Sequence, residues 1–117
     1  MNLVTVKEKS DLHITFDNGY VLSSDHDQEC CEQHYLDFSD ITLSDFENCI
    51  FDLDTDFFES IENYGIALIP TNNYKIRIPG YGYNNGYYSS ELILSLYDSN
   101  LKLIKSWNIS ECQVFPD

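Results

Sequence analysis

Leu12, Ile14 and Phe16 alternate with His13, Thr15 and Asp17, and an Asn18-Gly19 pair follows before Tyr20-Val21-Leu22. Successive side chains of a strand point to opposite faces, and Asn-Gly suits the two positive-φ positions of a tight turn, so the segment predicts a β-hairpin with one buried face. A second hairpin is written near the other end. Leu92, Leu94 and Leu96 alternate with Glu91, Ile93, Ser95 and Tyr97, Asp98-Ser99-Asn100 supplies the turn, and Leu101, Leu103, Lys105, Trp107 and Ile109 are expected to share one face of the return strand. Tyr74, Ile76 and Ile78 opposite Lys75 and Arg77 make a shorter strand that Pro79-Gly80 should stop. The apolar run from Gly65 to Ile69, closed by Pro70, reads as a buried strand.

Helix signals are confined to the middle. Thr42 with Asp45 resembles a capping box opening a short turn through Phe46, and Thr55-Asp56 could start a helix in which Phe57, Ile61 and Tyr64 recur at helical spacing. Strands at both ends around brief helices predict an α+β fold. The expectation is one compact domain over residues 1–117, mainly an antiparallel β-sheet of about six strands, with one or two short helices in the acidic middle. A chain of 117 residues can bury roughly two-thirds of the surface it exposes when unfolded. Nine Tyr, seven Phe and one Trp separate it from aromatic-poor disordered chains.

Charge is distributed unevenly. The net value is −14, but the six basic residues are Lys7, Lys9, Lys75, Arg77, Lys102 and Lys105, so none lies between Ser10 and Tyr74. That segment carries −15 and the remainder +1. Such an acidic half disfavours direct binding to nucleic-acid phosphates and attracts a cation or the basic face of another protein; acids on solvated faces also keep a Tyr-rich protein in solution. The amino terminus lacks the basic start and apolar run of a secretory signal, and no stretch is long enough to span a bilayer. A bacterial cytoplasmic location is therefore expected, with the four cysteines Cys30, Cys31, Cys49 and Cys112 as thiols.

Reactive side chains are densest from Asp25 to His34. A zinc site using His26, Cys30 or Cys31, and His34 has the right donors, but adjacent cysteines rarely aim at one ion and no second Cys-x-x-Cys follows. A Cys-His nucleophile is disfavoured by the surrounding carboxylates, which raise thiol pKa. Cys49 to Thr55 locally resembles the strand end of haloacid-dehalogenase-type phosphatases, in which paired carboxylates such as Asp52 and Asp54 would require magnesium. Asp52, Asp54 and Asp56 also mimic the start of a calcium loop, yet Phe57 stands at the glycine position and Asn63 at the closing glutamate. None of these signatures is complete, so no catalytic residue, metal or cofactor is assigned. The loop from Pro79 to Ser89, with Gly80, Gly82, Gly86 and Tyr81, Tyr83, Tyr87, Tyr88, suits gripping a planar ligand beside Lys75 and Arg77, or capping a sheet edge.

The run His26-Asp27-Gln28-Glu29-Cys30-Cys31-Glu32, with its upstream Asn-Gly turn and the later Asn85-Gly86-Tyr87-Tyr88-Ser89, resembles a family of small bacterial and phage proteins classed as a domain of unknown function. The resemblance implies a shared fold and a surface comprising His26, Gln28, Glu29, Cys30, Cys31, Glu32, Asn85, Gly86, Tyr87 and Tyr88, to which the reading of the Tyr-rich loop adds Arg77 as a neighbouring cation. His34 departs from the family pattern, which is apolar at that position. Together these features lead to the expectation of a non-enzymatic binding protein from a phage or mobile element. It would regulate or inhibit a host defence component by presenting an acidic surface to a partner with a basic face. The alternatives are capture of a small anionic, nucleotide-like signal by the Tyr-rich loop, and a metal-dependent hydrolase. No membrane association is expected, and a homodimer is compatible with the sequence.

Overall fold

The structure, a computed structural model, describes residues 2–24, 33–83 and 92–114. Twelve strands occur there in chain order: β1 Leu3–Val4, β2 Val6–Lys9, β3 His13–Phe16, β4 Val21–Ser23, β5 Gln33–Leu36, β6 Phe51–Asp52, β7 Phe58–Ile61, β8 Gly65–Leu68, β9 Ile76–Tyr83, β10 Ile93–Tyr97, β11 Leu103–Asn108 and β12 Gln113–Val114. The first sheet has the order β2-β3-β4-β10-β11, antiparallel throughout. Both hairpins read from the sequence are present in it, and Leu22 opposite Leu96 joins them. β1 and β6 form a separate short pair.

The second sheet centres on β9. Its first half pairs with β8, which pairs in turn with β7; its second half pairs with antiparallel β5 and parallel β12. Pro79 and Gly80 were expected to end this strand, but it runs through them to Tyr83. One peptide unit accounts for the junction. Gly80 N–H donates to Tyr64 at 2.6 Å while the Pro79 carbonyl accepts from Asp37 at 2.8 Å, and a trans peptide points these two groups in opposite directions. The strands therefore lie on opposite sides of β9. The donor that proline lacks would face the end of β5, where ladder pairing has already stopped.

One core takes side chains from both sheets: Ile14, Phe16, Leu22, Leu94 and Leu96 from the first, Leu36, Ile66, Leu68 and Ile78 from the second. Phe46, Phe51 and Phe57 fill the space beside them, with Phe51 centred 6.2 Å from Phe16 and 6.5 Å from Phe46. Each such fully buried side chain contributes about 1.5–3 kcal/mol relative to exposure.

Several expectations are corrected. The strands are about twice as many as expected because most are only two to four residues long. No α-helix occurs among the described residues. Thr42 and Asp45 do form a capping box, with Thr42 N–H donating to the Asp45 carboxylate at 2.8 Å, but it caps a 3₁₀ turn of four residues, Leu43–Phe46. Positive φ at Asn48 leads the chain away from helical geometry. A second 3₁₀ turn lies at Ser110–Cys112. The helix expected from Thr55 is replaced by β7, whose backbone groups are satisfied by the fully buried β8; Asn63, at φ 60°, turns the chain between them. The apolar spacing of Phe57, Ile61 and Tyr64 fitted a helix, but pairing across the β7–β8 hairpin overrides it.

The two hairpins differ in detail from their sequence patterns. Only Gly19 of the Asn18-Gly19 pair has positive φ, and the loop comprises three residues rather than two, closed by Phe16 N–H to Tyr20 at 2.8 Å. In β11, Leu96 pairs with Lys105 and Tyr97 with Leu103, so Ile104 is an extra, bulged residue. The bulge reverses the alternation. Leu103 therefore does not share the face of Lys105 and Trp107, and it stands exposed.

Candidate functional site

Of the surface suggested by sequence, only Arg77 falls among the described residues. His26, Gln28, Glu29, Cys30, Cys31, Glu32, Asn85, Gly86, Tyr87 and Tyr88 lie outside them. Arg77 sits in β9 opposite Ala67, exposed, with its guanidinium carbon 5.9 Å from the centre of the Tyr64 ring. Beside it Lys75 makes an ion pair of 3.0 Å with Glu59 across the β7–β9 surface. These side chains, with Ile61 and a 90% exposed Tyr74, line an open groove of ≈ 570 Å³. Tyr81 is turned to another task, its ring centred 5.8 Å from that of Tyr35.

The carboxylates considered for metal chemistry have local duties. Asp52 Oδ1 accepts from Asn2 N–H at 3.2 Å and from Asp54 N–H at 3.0 Å, which closes the turn after β6 and ties it to the chain start. Among the described residues no three His, Cys, Asp or Glu side chains converge as metal ligands. Cys49 and Cys112 are buried free thiols. Burial pushes both above the ordinary thiol pKa; a hydrogen bond to Asn73 partly opposes this for Cys49, and one to Ser60 for Cys112. Thiols so held stay protonated and unreactive near neutrality.

The second concave surface is a cleft of ≈ 340 Å³ between β11 and the segment from Leu53 to Phe58, with Ser60 of β7 at its side. Its position follows from strand pairing. Trp107 and Lys105 lie opposite Leu94 and Leu96, and residues opposed in an antiparallel ladder share a face, so both belong to the side of the sheet that carries the core. β11 is the outermost described strand of its sheet, and this face is covered there by the loop before β7 together with Phe58 and Ser60 of β7, the edge strand of the second sheet. Phe57 and Phe58 hold the indole in near-perpendicular contacts, with centroids at 5.7 and 5.0 Å and interplanar angles of 80° and 83°. Lys105 Nζ rests 5.2 Å from the centre of the Trp107 ring. Asp54 and Asp56 are exposed at the rim, and Thr55 fixes their loop by donating from N–H and Oγ1 to the Asp52 carbonyl at 3.2 and 3.0 Å.

Sequence reasoning read Lys105 and Trp107 as members of one strand face and Asp54 and Asp56 as fragments of motifs; it did not bring them together. The one available signal was a lone tryptophan two residues from a lysine, beside a distant Phe57-Phe58 pair of matching bulk. Among the described residues no helix is long and apolar enough to cross a membrane. No curated protein and no solved structure matches the chain. A family model does match residues 2–94, from the segment before β1 into β10, and the chain accordingly belongs to the family described as Domain of unknown function (DUF7448).

Proposed function

We propose that this protein is a non-enzymatic binding protein that applies its acidic half to a basic face of a host protein and restrains that protein's activity. What carries the reading is the exposure of Asp40, Asp45, Glu47, Asp54, Asp56 and Glu62, in a 65-residue stretch from 10 to 74 that has no lysine or arginine. Like charges kept together raise the local potential, which steers a basic partner and fixes its orientation. The buried, protonated thiols and the hydrogen-bonded Asp52 support it further, because neither is poised for chemistry.

The test is salt dependence with a partner recovered by affinity capture from a bacterial host lysate. Dissociation constants should rise roughly tenfold or more as the Debye length shortens from ~14 Å to ~4 Å. Asp40→Asn, Asp45→Asn and Glu47→Gln combined should weaken binding mainly through a slower association rate. Affinity that is indifferent to both salt and these substitutions would remove charge mimicry as the basis of binding.

The open groove at Arg77 favours a second reading, capture of a small anionic signal. An exposed guanidinium over Tyr64 and an exposed Tyr74 offer charge and a flat face together. A thermal-shift screen of cyclic nucleotides, with Arg77→Ala as control, decides it; no stabilisation by any of them counts against it.

A further inference from the structure

The Trp107 cleft has the parts of a receptor for a cation. We propose that it accepts one arginine side chain of a protein partner, with Lys105 as a built-in plug that the guanidinium displaces; this rests on the acidic-surface reading and names its anchoring point. Three observations combine. The cleft is open and large enough, at ≈ 340 Å³, for a guanidinium and part of its stem. Its wall is an indole held rigidly by Phe57 and Phe58, so ordering the ring costs little when a ligand arrives. A cation already sits against that ring, the Lys105 ammonium at 5.2 Å, so the environment accepts positive charge over the indole in the free protein.

Asp54 and Asp56 add directional acceptors on a loop pinned by Asp52 and Thr55. A guanidinium suits this arrangement better than an ammonium. Its plane stacks on an indole while its fork of donors reaches carboxylates at the edge, whereas an ammonium is a compact, strongly hydrated point charge. Displacement of Lys105 is feasible because the residue is exposed and its flexible stem can carry the charge back to water.

Trp107 is the only tryptophan of the chain, so its emission reports this cleft alone. The probe is acetyl-arginine amide, with its uncharged citrulline analogue as control. Saturable quenching by the arginine compound and none by the citrulline one is expected. Lys105→Met should tighten binding about threefold by removing the plug, and Asp54→Asn with Asp56→Asn should weaken it by a similar factor. Equal responses to both compounds, or no change in affinity with Lys105→Met, would overturn the proposal. An octa-arginine peptide followed by calorimetry separates the two readings. Salt-sensitive binding with a silent Trp107 sinks the cleft and leaves the acidic surface standing, while no binding at all removes both.

Discussion

Leu101 occupies in the β10–β11 turn the place that Gly19 occupies in the β3–β4 turn. In the first hairpin Phe16 N–H donates to Tyr20 and Gly19 N–H to Phe16; in the second Asp98 N–H donates to Lys102 and Leu101 N–H to Asp98, all at 2.8–2.9 Å. Both residues have positive φ, 89° at Gly19 and 62° at Leu101. A left-handed conformation costs an L-residue roughly 1–2 kcal/mol, and Leu101, at 70% exposure, recovers little by packing.

Leu101→Gly should therefore stabilise the protein by about 0.5–1 kcal/mol, after the larger unfolded-state entropy of glycine is set against the relieved strain. Gly19→Leu should act in the opposite sense and more strongly, because a Cβ at Gly19 would stand 2.9 Å from Ser99 Cβ, where the two hairpin tips abut. Denaturant midpoints of the two variants check the pair. A Leu101→Gly midpoint at or below that of the parent would show that the leucine is held there by something other than backbone geometry.

Gly65 and Gly80 meet where β8, β9 and β12 come together. Gly65 has φ 155°, and a Cβ there would press on the Ile78 carbonyl, lie 2.7 Å from Gly80 N and 2.9 Å from Pro79 C. One at Gly80 would lie 2.9 Å from the Cys112 carbonyl. Gly65→Ala is expected to cost more than about 3 kcal/mol, since backbone rather than a side-chain tip would have to move, and Gly80→Ala about 1–3 kcal/mol. Circular dichroism melts suffice to rank them. Gly80→Ala proving the worse of the two would contradict this account of the junction.

How far the chain could be read in advance depended on how local the signals were. Ile14, Phe16 and Leu22, and likewise Leu94 and Leu96, announced their buried face by period-two alternation, and all are buried. Phe57, Ile61 and Tyr64 misled because four-residue and three-residue spacings also fit a short strand and its turn; the decisive information was the β8 partner, which lies outside the window. Pro79 misled for the same reason, since its missing donor is harmless only because β5 ends beside it. Ile104 could not be recognised as a bulge from its own letters. The Trp107 cleft was illegible because Asp54 and Lys105, which line it together, are brought into one site by the fold rather than by a motif.

Both described thiols ought to make the protein alkali-sensitive. Burial raises Cys49 and Cys112 above the ordinary value of 9.0, and for Cys112 the neighbouring Glu111 and Glu62 add to the effect while bonds to Ser60 and Ile61 oppose it. The unfolded chain thus releases these protons at lower pH than the folded one. Their contribution is fully present below the ordinary thiol value and is lost as pH rises through the raised folded-state values. Melting temperature should fall from pH ~8.5 upward, and Cys112→Ala should flatten that slope even if it lowers stability at neutral pH. In a Cys30→Ser, Cys31→Ser background, a thiol reagent such as Ellman's should label neither remaining cysteine until the protein unfolds. Rapid labelling of the folded variant at pH 8 would show that one of these thiols opens to solvent.

Ser24 binds the two sheets together by a single buried hydrogen bond. It follows β4 of the first sheet, is fully buried, and its Oγ accepts from Leu36 N–H in β5 of the second sheet at 2.8 Å. Leu36 is itself fully buried and its carbon skeleton packs against Gly80. Removing the hydroxyl leaves a fully buried amide donor without its acceptor, and such an unsatisfied group costs about 1–3 kcal/mol. Ser24→Ala should lose stability in that range, while Ser24→Thr, which keeps the acceptor but adds a methyl group, should lose less if the core can make room. Hydrogen exchange at Leu36 gives the more specific readout. In Ser24→Ala its amide should exchange at least tenfold faster relative to the amides of β8, because the substitution loosens the bond between sheets before it loosens either sheet. Uniform acceleration across β5, β8 and β10 would instead mean that the loss is global and that Ser24 is one core residue among others.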